Sequence, residues 1–89
     1  MGRSVRSAVR RLAKAGLVEF DVHAHERFED FDIAEEDVML ALENAMYARS
    51  QTNQRVLVRG PDLLGYELHV IVEVSSRIYV VTAMLPKEE

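Results

Sequence analysis

His23 and Arg27 lie four residues apart, so both side chains project from one side of any helix that contains them. An imidazole exchanges protons near neutral pH, and a guanidinium grips a phosphate through two parallel hydrogen bonds. Together they supply what RNA cleavage without a metal requires. One group moves the 2′-hydroxyl proton, and a cation offsets the charge that builds on phosphorus. The same spacing also suits a helix-cap histidine and an arginine paired with Glu26, Asp30 or another nearby carboxylate.

The other candidates are more dispersed. His25 is a second imidazole, but on a helix it points away from His23, and its i+4 neighbour Glu29 gives at most two converging ligands. That is short of a closed metal site, so neither metal nor cofactor is expected. His69 falls between Glu67 and Glu73 on the polar side of a strand and reads as a sheet-surface histidine. Arg55 and Arg59 bracket an earlier strand and share one side of it with Leu57. Arg59 directly precedes Gly60-Pro61, at a strand end where loops build sites. By strict alternation Thr82 shares a face with Ile78, Val80 and Met84, while Tyr79 joins Val81, Ala83 and Leu85. A buried threonine needs a hydrogen-bond partner; one bonded only to backbone would be a β-branched filler. The candidate catalytic set is therefore His23, Arg27, Arg59 and Thr82. The chain has no glycine-rich nucleotide loop and no serine–histidine–acid arrangement on a recognisable elbow.

Positioning these residues requires helices first and a sheet last. Val5, Ala8, Val9 and Leu12 fall at i, i+3, i+4 and i+7, with Ser4 to cap the start and Gly16 the end. Arg3, Arg6, Arg10 and Lys14 line the opposite face of that helix. Val18, Phe20 and Val22 alternate with Glu19 and Asp21, as in a short edge strand. Residues 23–30 form a second helix with Ala24 and Phe28 inward, and a break follows at Phe31 and Asp32. Ile33 and Val38 staple the start of a third helix, whose first turn carries Glu35, Glu36 and Asp37. Asp32 is the better capping side chain there and Ala34 a poor one. Val38, Ala41, Leu42 and Ala45 make its buried stripe. Residues 47–54 are polar and aperiodic, a loop. Strands then follow over residues 56–59, 66–74 and 77–85, with turns at Gly60-Pro61-Asp62 and Ser75-Ser76. The expected fold is α+β: N-terminal helices packed on a C-terminal antiparallel sheet of three to four strands.

With 89 residues the chain has room for one domain, residues 1–89. No apolar run is long enough to span a membrane, and cysteine is absent, which removes disulfides, zinc thiolates and thiol nucleophiles. A cytoplasmic address is the simplest expectation. The net charge of −4 conceals a segregation: residues 1–16 hold five cations and no acid, whereas residues 17–46 hold ten acids against Arg27 alone. An acidic total argues against broad, non-specific nucleic-acid affinity but leaves room for a local basic face. The basic stripe either contacts nucleic acid or pairs with the carboxylates of residues 19–37, within one chain or across a dimer. Pairing is the favoured reading.

Taken in order, His23-Ala24-x-x-Arg27, Ile33-x-x-x-Asp37-Val38, Arg55-x-Leu57-Val58-x-Gly60, Gly65-x-x-Leu68-His69-Val70 and Val80-Val81-Thr82 form a recognisable series. The series resembles a family of small uncharacterised bacterial domains that opens on an HA-x-x-R helix and closes on a V-V-T strand. That family is grouped with the RelE, ParE and BrnT toxins among the barnase- and colicin-like ribonuclease folds. The resemblance runs from Val22 to Pro86 and implies a toxin-like RNA endonuclease encoded beside an antitoxin. It assigns His23 and Arg27 to the helix positions, Arg59 to the pre-glycine arginine, which the family more often has nearer Arg55, and Thr82 to the strand threonine. The family's usual R-G-I before the third helix is Phe31-Asp32-Ile33 here, one cation fewer and one carboxylate more. The partners implied are a cognate antitoxin protein and RNA; the charge segregation leaves room for a second copy of the chain. The alternative function is a non-catalytic protein-binding module of the same fold, ParE-like or an inactive relative.

Overall fold

The computed structural model describes residues 4–85. Ser4 caps α1 (Val5–Lys14) by accepting a hydrogen bond from the Ser7 amide at 3.1 Å. Gly16, at φ +78°, turns the chain out of the helix in a left-handed conformation that suits glycine. A short strand, β1 (Val18–Phe20), leads directly into α2 (Val22–Asp30). Val22, expected as an inward strand residue, is instead the first residue of α2 and is exposed. The break after α2 turns on Asp32, which adopts φ +57°, so it cannot serve as the next cap. Ala34 takes the N-cap of α3 (Glu35–Glu43) without a side-chain oxygen to offer the first-turn amides, while the Asp37 carboxylate accepts from the Ala34 amide at 3.3 Å. Ile33 and Val38 are both buried where the staple requires.

The sheet departs from expectation in three ways. It has five strands, in the order β1-β5-β4-β3-β2, and it is mixed. The additional β2 (Tyr47–Ser50) lies within the polar stretch expected to be a loop and pairs antiparallel with β3 (Arg55–Pro61) after a turn at Thr52–Gln54. Strand β1, expected between the first two helices as a short edge strand, joins this sheet in parallel with β5 (Ile78–Met84). The helices are therefore interspersed with strands instead of all preceding them. Strand β3 also continues through Gly60 and Pro61, and the reversal into β4 (Glu67–Val74) comes at residues 62–66. There Asp62 accepts from the amides of Leu64 and Tyr66 at 2.9 and 2.8 Å.

All three helices cover one face of this sheet. Val9, Leu12 and Ala13 from α1, Ala24 and Phe28 from α2, and Val38, Ala41 and Leu42 from α3 share one core with Val56, Val58, Leu68, Val70, Val72, Ile78, Val80 and Ala83. At Gly60 the backbones of β3 and α3 approach closely. An added Cβ there would lie 2.2 Å from the Ala41 carbonyl oxygen. No helix among the described residues is long and apolar enough to cross a membrane.

Candidate active site

Period-two alternation sends every second strand residue to the face that no helix covers. Register then groups those residues in cross-strand rows. Tyr47, Arg59, His69 and Met84 form one row across four strands, and Arg49, Leu57, Ile71 and Thr82 form the next. A third row holds Arg55, Glu73, Tyr79 and Glu19.

The first row carries the densest chemistry. The Arg59 guanidinium lies over the Tyr47 ring, with its central carbon 3.8 Å from the ring centroid. Its Nη1 is 3.6 Å from Glu67 Oε2, and the same oxygen lies 2.7 Å from His69 Nε2. Glu67 thus anchors an arginine and an imidazole side by side. With Nε2–H donated to the carboxylate, the lone pair of a neutral His69 sits on Nδ1, the nitrogen left to accept a proton. Arg59 is held by stacking and one long ion pair. Its Nε is buried with no hydrogen-bond partner among the described residues, a cost that an anion drawing the guanidinium outward would relieve.

The structure divides the four candidate residues between two faces. Arg59 and Thr82 lie on the open face, in adjacent rows. His23 and Arg27 lie on α2, which packs against the other side of the sheet, next to β5. His23 is 78% exposed and its nearest charged neighbour is Glu26, with Nδ1 and Oε1 3.7 Å apart. Arg27 forms no ion pair among the described residues. His25 packs beside Phe20 and Phe28 in a three-ring cluster and reaches Glu35 of α3 at 3.3 Å, not its helix neighbour Glu29.

Thr82 reaches the open face through an irregularity. Strand β5 shifts register between the partners of Ile71 and Val72, leaving Val81 as an extra residue. Thr82 then pairs with Ile71 on the open face while Ala83 turns into the core, reversing the expected grouping with Ile78 and Val80. Glu67, His69 and Tyr47 were the residues that sequence reasoning passed over as site members. A hairpin centred on residues 62–66 sets Pro61 opposite Glu67, which necessarily sets Arg59 opposite His69. That arithmetic was the available signal.

The fold is thus an α+β domain with one sheet face left uncovered among the described residues, carrying an arginine–tyrosine stack beside a carboxylate–imidazole pair. The chain belongs to the family described as Domain of unknown function (DUF4258), whose model matches residues 20–85. The match takes in α2, α3 and strands β2 to β5, reaches only the last residue of β1 and leaves α1 outside it. No curated protein and no solved structure matches the chain.

Proposed function

We propose that this domain is a toxin-like endoribonuclease of the RelE-like kind, cleaving RNA on its open sheet face without a metal. The observation that carries the reading is the Tyr47–Arg59–Glu67–His69 cluster on an uncovered sheet. Uncovered strands bearing aromatic and arginine side chains suit unstacked bases and a phosphate backbone. In this scheme Arg59 faces the scissile phosphate, and Arg49 and Thr82 in the next row contact the flanking backbone. His69, held by Glu67, takes the 2′-hydroxyl proton as O2′ bonds to phosphorus. The bond from phosphorus to the 5′-oxygen breaks, and water protonates that oxygen. A cognate antitoxin and a cytoplasmic address belong to the same proposal.

The test is incubation of the purified chain with single-stranded RNA, with its 2′-deoxy counterpart, and with chelator. Cleavage of RNA alone, unaffected by chelator and leaving a 2′,3′-cyclic end, is the expected result. Binding of RNA without cleavage would favour the non-catalytic module. Cleavage that chelator abolishes would refute the metal-independent scheme.

A further inference from the structure

Two ridges on the outer side of the helix layer carry opposite charge. On α1, Ser7, Arg10, Arg11 and Lys14 stand at i, i+3, i+4 and i+7, opposite the buried Val9, Leu12 and Ala13. On α3, Glu36, Met39, Leu40 and Glu43 repeat that spacing, opposite the buried Val38, Ala41 and Leu42. Among the described residues, none of Arg10, Arg11, Lys14, Glu36 and Glu43 enters an ion pair. The pairing expected within one chain between the basic stripe and the acidic segment is therefore not made by these residues. Arg6, also on the stripe, donates to the Met46 carbonyl at 3.5 Å instead. Yet α1 packs directly against α3, so the two ridges lie side by side on one outer surface.

We propose that this surface binds a second copy of the chain about a two-fold axis, the α1 ridge of each copy lying along the α3 ridge of the other. A two-fold contact requires a patch complementary to itself, and one basic ridge beside one acidic ridge is such a patch. The apolar content fits as well. Leu63, 62% exposed, borders the α3 ridge with Met39 and Leu40, and its amide is pinned by Asp37 at 3.0 Å. The long stems of Arg10, Arg11 and Lys14 would cover those side chains while their charged ends reach Glu36 and Glu43. The contact lies on the far side of the helices from the open sheet face, so association leaves that face clear. It does not rest on the RNA-cleavage reading.

Sedimentation velocity decides it. The wild-type chain should sediment as a dimer at low salt and shift towards monomer as added salt shortens the reach of exposed charges. The triple variant Arg10→Glu, Arg11→Glu, Lys14→Glu should be monomeric, and so should the double variant Glu36→Lys, Glu43→Lys. Mixed together they should form a dimer, because each all-acidic surface then meets an all-basic one. Circular dichroism of each variant establishes that it is folded, and a mixed dimer itself requires both to be. A wild-type chain that stays monomeric at about 100 µM in low salt overturns the proposal. So does a failure of the folded variants to associate when mixed. If the wild type is monomeric and the triple variant loses RNA affinity, the α1 ridge is an RNA contact and the dimer is refuted.

Discussion

Replacing Gly60 by alanine should destabilise this domain more than its small change in volume suggests. The new Cβ would lie 2.2 Å from the Ala41 carbonyl oxygen, 2.9 Å from the carbonyl carbon and 3.0 Å from Cα, all backbone atoms. Real Cβ contacts essentially never fall under 3.0 Å, so α3 must lift from β3 by at least about 0.8 Å. Overpacking of this sort costs about 1–3 kcal/mol. Lifting α3 also parts Ala41 and Leu42 from Val58 and Leu68, all fully buried, and a gap of about 0.5–1 Å forfeits roughly a quarter to a half of each contact. The combined cost is about 3 kcal/mol. A domain of this length is stable by only about 4–13 kcal/mol. At about 4–8 °C per kcal/mol, the melting temperature should fall by about 12–24 °C. Thermal unfolding followed by far-ultraviolet circular dichroism measures it. A change of under about 4 °C would show that α3 does not sit against Gly60 as described.

Three further substitutions probe other parts of the frame. Phe28→Ala empties a core position that is 3% exposed and should cost about 3–5 kcal/mol, read from the urea midpoint. Asp37→Ala removes the acceptor for both the Ala34 and Leu63 amides and should cost about 1–2 kcal/mol by the same measurement. Glu19→Gln breaks a 2.6 Å pair with Arg77, but both side chains are well exposed, so chemical denaturation should register less than about 1 kcal/mol.

Much of the frame was legible in the sequence because local rules determine it. Apolar spacing and a serine cap gave α1, and strict alternation gave β4 with Leu68, Val70 and Val72 inward. What escaped depends on partners distant in sequence. Tyr47-Ala48-Arg49-Ser50 becomes a strand only because β3 offers an edge, and it packs just Ala48 against the core. The parallel pairing of β1 joins residues about sixty positions apart, which no local pattern encodes. The shift at Val81 was hidden because nearly every side chain of β5 is apolar or β-branched, so reversed alternation leaves no mark. Gly60 read as a turn glycine, whereas its role is close approach to α3. For the candidate site, alternation placed Arg55 and Arg59 on one side of their strand, whereas Thr82 reaches that face only through the shift at Val81. The company of Arg59 was not legible, since Glu67 and His69 resemble ordinary sheet-surface residues until the hairpin register sets them beside it.

The central claim is that chemistry belongs to the open sheet face, and the α2 face offers the direct comparison. Single-turnover RNA cleavage by His69→Ala and by His23→Ala, each checked for folding, separates the two. If His69 is the proton-transfer group, its removal should slow cleavage by about 10²–10⁴-fold. His23→Ala should cleave at close to the wild-type rate, because that side chain is 78% exposed and lies on the helix side of the molecule. A His69→Ala protein that cleaves undiminished, with activity lost instead in His23→Ala, would contradict the account and move the site to α2.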